Sequence, residues 1–186
     1  MFAKGGPGES LSFPHSSGEE MKAFQDYYPD ELSYCYGCGR LNKEGHQLKS
    51  YWDGETSVAR FVPKPYHTAL PGFVSGGILA SLIDCHGTGT AAAAAYRTEK
   101  REPGSLPAHR FVTASLKVDY LRPTPLGPEL VLHGMVRSVA GRKVVVDVEL
   151  TAEGQTTVHG EVVAVEVPDH LHQKAKDAHA EQTARR

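Results

Sequence analysis

The chain has 186 residues, 40% apolar and 23% charged, which is enough for one substantial core with extra length at its ends. A formal charge of -2 and a pI near 6.5 argue against a protein built around a dense basic face for nucleic acid or acidic membrane. No window approaches the roughly 18 consecutive apolar residues of a membrane span, and the opening MFAKGGPGESLSF lacks the apolar run of a signal peptide, so a soluble, cytoplasmic protein is expected.

Residues 1–33 read as a leader and a short helical arm. Met1 to Ser17 is rich in Gly, Pro and Ser without periodicity, whereas Glu19 to Tyr28 sets Met21, Phe24 and Tyr28 on one helical side before Pro29 stops it. Tyr34-Cys35-Tyr36-Gly37-Cys38-Gly39 comes next, trailed by Asn42 and Gly45-His46. Its C-x-x-C pair is half of a zinc or redox site, but no second C-x-x-C or H-x-x-x-H supplies the remaining ligands. His46, Cys85 and His86 would complete a site only by folding against the pair. The reading adopted is a tight Gly-rich turn with two small buried thiols, three reduced cysteines in all, and neither metal nor cofactor.

Gln47 to Trp52 and Thr56 to Val62 flank Asp53-Gly54, a hairpin signal. Pro63, Pro65 and Pro71 bracket a loop, and a helix is predicted over the stretch from Pro71 to Tyr96. Ile78, Leu79, Leu82 and Ile83 recur on one side of it, while Gly77, Ser81, Asp84, Thr88, Ala91 and Ala95 form a nearly bare second face. A bare face admits a second backbone or a ligand, and Asp84 is the only strong acid on it. Such an acid needs a partner or a function, because burying an unpaired charge is expensive.

Arg97 to His109 reads as an exposed connection around Pro103-Gly104. Four strand-like runs follow: Arg110 to Leu121, Glu129 to Val139, Arg142 to Ala152 and Thr156 to Val167. Val112, Ala114, Leu116, Val118 and Tyr120 alternate as one inward row, as do Val144, Val146, Val148 and Leu150. Residues 169–186 form a polar tail read as a loose helix outside the core. Two strands, one long helix and four antiparallel strands make an α+β domain over 34–168, a curved six-stranded antiparallel sheet wrapped around a central helix. Its open edges favour pairing with a second copy.

That order, with P-G-F-V-S-G-G-I-L-A-S-L-I-D in the helix and L-K-V-D-Y-L-R-P-T-P-L-G after it, resembles the hot-dog fold thioesterases of the phenylacetyl-CoA (PaaI-like) group. The lead-in C-Y-G-C-G-x-x-N-x-x-G is similar to that of one branch of the group. The resemblance implies hydrolysis of acyl-coenzyme A thioesters, without cofactor, at a site between the subunits of a homodimer or dimer of dimers. It places the oxyanion donors on Gly76 or Gly77 and the general base or nucleophile on Asp84. The physics agrees: a helix N-terminus carries unpaired N–H groups and a positive partial charge. Gly77 and Asp84 lie roughly 10 Å apart along one helix, too far for one carbonyl to meet both within a single subunit.

Many relatives open the helix H-G-G, whereas this chain has Ser75 in place of the histidine, which leaves Ser75 as a helix cap or an orienting hydroxyl. Ser81 and Thr88 are candidates to position water. Arg122, Arg142 and Lys143 are candidates for the coenzyme A phosphates, being cations at strand ends. His86, roughly 200° around the helix from Asp84, reads as a packing or interface residue. The alternatives are a non-catalytic acyl-CoA or lipid-binding module of the same fold, a small zinc or redox protein using Cys35 and Cys38, and a hot-dog hydratase, which lacks an Asp/His pair here.

Overall fold

The computed structural model describes residues 22–184. The leader reading of Met1 to Ser17, and the start of the arm, lie outside these residues. The described part of the arm is a 3-10 turn, Phe24–Tyr27, followed by a second at Asp30–Leu32.

The strands are β1 Ser50–Asp53, β2 Thr56–Phe61, β3 Phe111–Tyr120, β4 Leu130–Ala140, β5 Lys143–Ala152 and β6 Gln155–Glu166, with helix α1 Gly76–Thr98 between β2 and β3. They form one antiparallel sheet in the order β1-β2-β4-β5-β6-β3, the expected six-stranded antiparallel sheet. A final helix, α2 Asp169–Ala184, stands where a loose helical tail is expected, and its His179 ring lies 5.3 Å from that of Tyr34. Among the described residues no helix is long and apolar enough to cross a membrane.

Val144, Val146, Val148 and Leu150 face α1 and are fully buried, as their alternation dictates. The helix is not simply two-faced. Every residue from Cys85 to Ala92 is buried, because the sheet covers one side and the N-terminal segment the other. The small residues make this possible: a Cβ on Gly87 would lie 2.5 Å from Val162 Cγ2, and one on Gly89 would lie 2.8 Å from Gln25 Nε2.

The inward row expected in β3 is broken. Pairing jumps between Thr113 and Ser115, so Ala114 is an extra, bulged residue. Phe111 and Thr113 pair with Glu166 and Ala164, while Leu116, Val118 and Tyr120 pair with Val162, Gly160 and Val158. Ala164, Val162 and Val158 are buried against the helix. The one-residue slip therefore turns Thr113 inward and leaves Val112 and Ala114 on the other face, where Val112 is 45% exposed.

His86 is buried in a hydroxyl network. Its Nδ1 lies 2.9 Å from Ser50 Oγ and its Nε2 3.1 Å from Ser57 Oγ, and Ser57 Oγ is 2.6 Å from Thr90 Oγ1. Burial pushes its pKa down to about 3, so the ring is a neutral packing group. The backbone of β4 closes over it: a Cβ on Gly134 would sit 2.4 Å from Ser57 Oγ and 3.0 Å from His86 Nε2. Gly134→Ala is therefore expected to destabilise the fold by about 2 kcal/mol or more, as overpacking and disturbed buried hydrogen bonds outweigh the strand preference of alanine. A urea midpoint unchanged from that of the native chain would contradict this.

Candidate active site

The helix start is built by a tight turn. Gly72 takes a left-handed φ of +87°, and Ser75 is extended (φ −62°, ψ 132°) before α1 begins at Gly76. Ser75 occupies the cap position, but its hydroxyl makes no capping hydrogen bond. Its backbone does the anchoring instead: the N–H donates to the His67 carbonyl at 2.8 Å, and the carbonyl accepts from Ile78 and Leu79. The N–H groups of Gly76 and Gly77 have no backbone acceptor among the described residues, as the first turn of a helix requires. Gly77 is exposed, and a Cβ there would meet only Ser75 Oγ, at 3.9 Å. The mouth of the helix is thus open above Gly77.

Asp84 is half-buried two turns further along. Its hydrogen-bond partner is a hydroxyl, Thr113 Oγ1 on β3, which donates to Asp84 Oδ1, and the Arg110 guanidinium acts on it electrostatically. Burial raises the pKa of the carboxyl, and the Thr113 hydrogen bond partly opposes the shift. Thr113 was not singled out in the sequence, because the bulge that aims it leaves no mark in an alternating pattern. At the other end of the strand, the Tyr120 hydroxyl donates to the Gly76 carbonyl at 2.8 Å. β3 therefore touches both halves of the expected site, at residues seven positions apart.

The other candidates are scattered. The Thr88 hydroxyl is committed to its own helix, donating to the carbonyls of Asp84 and Cys85 at 3.0 and 3.3 Å. Ser81 faces the C-x-x-C turn, where a Cβ on Gly37 would lie 3.1 Å from Ser81 Oγ. Arg122 follows Tyr120 at the helix-start end and donates to Gln155 Oε1 at 2.9 Å. Arg142 donates to the Glu166 carbonyl at 2.7 Å. Lys143 opens β5 next to Val144, which pairs with Ala164, the partner of Thr113, so Arg142 and Lys143 lie toward the Asp84 end. One chain thus carries its candidate cations at opposite ends of the sheet.

The C-x-x-C turn does meet Cys85. Cys35 Sγ lies 3.6 Å from Cys85 Sγ, and the sulfurs of Cys35, Cys38 and Cys85 all fall within 4.8 Å of one another. Of His46, Cys85 and His86, only Cys85 folds against the pair. Hydrogen bonding from Cys38 and Cys85 lowers the pKa of the Cys35 thiol, while the same contact with Cys35 pushes Cys38 up to about 11. The cysteines are free.

A model of the thioesterase superfamily matches residues 71–159, which includes both Gly76 and Asp84. The acyl-coenzyme A thioesterase THEM4 of Xenopus laevis is 33% identical over 108 residues, which are 58% of this chain and 43% of that protein. Its Rattus norvegicus counterpart is 30% identical over 96 residues, 52% of this chain and 36% of that protein. The chain thus matches less than half the length of these curated relatives. Among solved structures, a thioesterase superfamily protein from Shewanella loihica is 51% identical, with a TM-score of 0.58 over 75% of this chain and 98% of that one. The PaaI protein of E. coli, 17% identical with a TM-score of 0.54 over 66% of this chain and 81% of that one, shares the fold. With a half-identical relative covered nearly end to end, and the family model lying across the helix and the strands around it, this chain belongs to the hot-dog thioesterase superfamily.

Proposed function

We propose that the protein hydrolyses an acyl-coenzyme A thioester to free acid and coenzyme A, at a site completed by a second copy of the chain. The observation that carries this reading is the pair of contacts made by β3, with Thr113 held to Asp84 and Tyr120 held to Gly76. β3 is an edge strand, and four apolar side chains along or just beyond it, Val112, Leu116, Tyr120 and Leu121, stand 36–57% exposed. The opposite edge, β1, is short and covered, with Phe24 against Trp52 at 5.1 Å and Arg97 over the same ring at 3.6 Å. If two β3 strands pair antiparallel about a twofold between Leu116 and Lys117, residue 113 of one faces residue 120 of the other. Asp84 of one subunit then approaches the Gly76–Gly77 turn of its partner, and the 10 Å gap along a single helix, roughly seven residues of rise, no longer matters.

In this reading the Gly76 and Gly77 N–H groups stabilise the developing oxyanion, and Asp84 deprotonates water or attacks the thioester carbon. The free Ser75 hydroxyl orients the thioester where relatives use histidine. Arg122 of one subunit, together with Arg142 and Lys143 of the other, is brought to the same end of the paired strands, where coenzyme A phosphates need cations. The THEM4 relatives, named as acyl-coenzyme A thioesterases, support the substrate class.

The test is thiol release from short, medium, long and aromatic acyl-CoAs. Turnover of at least one of them is expected. Saturable binding of acyl-CoA without thiol release would instead assign the chain as a non-catalytic acyl-CoA-binding module.

A further inference from the structure

The three-sulfur cluster takes no part in the thioester chemistry, yet it is tightly constructed. Cys35 and Cys38 lie on a turn closed by the Gly39 N–H, which donates to the Cys35 carbonyl at 2.8 Å. A Cβ on Gly39 would lie 2.5 Å from both the Ser33 carbonyl oxygen and the Cys35 nitrogen, so only glycine closes the turn this way. Gly37 is equally constrained, because a Cβ there would sit 2.3 Å from Cys85 Sγ. Two glycines thus let the C-x-x-C turn press onto the middle of α1, where Cys85 supplies a third sulfur from a rigid helix.

The spacing suits a metal. Three thiolates around a tetrahedral zinc, each at about 2.3 Å, stand about 3.8 Å from one another. The Cys35–Cys85 separation is 3.6 Å, and no sulfur pair exceeds 4.8 Å.

A buried cation stands beside the sulfurs. Arg110 packs its guanidinium 4.5 Å from the centre of the Tyr28 ring. Its Nη1 is buried without a hydrogen-bond partner, as is the Tyr28 hydroxyl. Both groups lie within electrostatic reach of the Cys38 and Cys85 sulfurs. Arg110 also lies within electrostatic reach of the half-buried Asp84 carboxylate, and a buried cation beside the sulfurs favours thiolate over thiol there. Three thiolates with one divalent cation carry a net charge of −1, which the neighbouring Arg110 stabilises. A disulfide between any two of the cysteines is neutral and leaves Arg110 as it was.

We propose that Cys35, Cys38 and Cys85 form a three-thiolate site for a thiophilic divalent cation, zinc above all, which ties the N-terminal turn to α1 next to Asp84. Binding replaces three S–H bonds by three S–Zn bonds and releases three protons. The fourth tetrahedral position falls to water, reachable past the partly exposed Cys35. The proposal stands apart from the thioesterase reading, because none of its ligands is assigned a role in that chemistry.

The full chain, reduced and stripped with a chelator, is titrated with cobalt(II) and then with zinc. About one equivalent of cobalt is expected to raise a thiolate-to-metal charge-transfer band that about one equivalent of zinc abolishes, and zinc is expected to raise the thermal midpoint of the native chain by several degrees. Cys35→Ser and Cys85→Ser are each expected to lose the band. The native chain carries the decision, so a variant that fails to fold does not blur it. Absence of the band, with less than about a tenth of an equivalent of zinc retained on dialysis, overturns the proposal. So does loss of two thiols to peroxide in a chain that shows no band, which would make the cluster a disulfide pair.

Discussion

Asp84→Asn is expected to lower the rate of thiol release by about 10²- to 10⁴-fold, the usual worth of a positioned general base, with KM changed far less. The substitution is nearly isosteric, and the amide oxygen still accepts from Thr113, so the helix and the strand stay joined. It removes a half-buried negative charge whose protonated form burial favours, so thermal stability is expected to hold or to rise slightly. The combination is diagnostic. An acid kept for structure would lose stability when neutralised, whereas a catalytic one loses rate alone. Full activity in Asp84→Asn, or a loss of rate explained by unfolding, would remove Asp84 from the mechanism.

The second large effect is expected at the helix start. Gly76 is the first residue of α1, where proline is tolerated because its N–H has no helical partner to lose. The preceding Ser75 already has the extended backbone that a following proline demands. Gly76→Pro thus deletes one N–H donor while α1 remains intact, with the added Cβ touching the Tyr120 ring at 3.3 Å, a contact that this half-exposed side chain can relieve. If that N–H serves the oxyanion, the rate falls by about 10²- to 10³-fold. Gly76→Ala, which keeps the donor and adds the same Cβ, is the control and is expected to retain most of the activity. Equal losses in both variants would mean that crowding, not the donor, matters, and would move the oxyanion role to Gly77.

Much of this was legible in the chain because the signals are local. β5 shows three valines and a leucine at a spacing of two, all inward, and the structure buries all of them. The helix declared itself by its length, its glycine opening and a single acid. Resemblance then supplied the roles proposed for Gly76, Gly77 and Asp84, which no periodicity contains. β3 was misread in its first half because a bulge changes parity without changing composition: Thr113 and Val112 exchange faces through one extra residue at Ala114. The thiol cluster was out of reach for a different reason. Cys38 and Cys85 are 47 positions apart, and their approach depends on Gly37 and Gly39 letting two backbones close, a tertiary contact rather than a pattern. Arg110 and Tyr28 likewise gain meaning only once the fold stacks one on the other.

If one site draws Asp84 from one chain and the Gly76–Gly77 turn from another, defects in the two elements must complement each other across subunits. Co-expressing Asp84→Asn with Gly76→Pro and measuring thiol release from the best acyl-CoA tests it directly. Each variant alone is expected to be nearly inactive. In a random mixture half of the dimers are mixed, and each of these holds one site with both elements intact, so about a quarter of the native activity is expected to return. Mixed dimers isolated by differential tags that are no more active than either parent would contradict the shared site and confine the chemistry to a single chain.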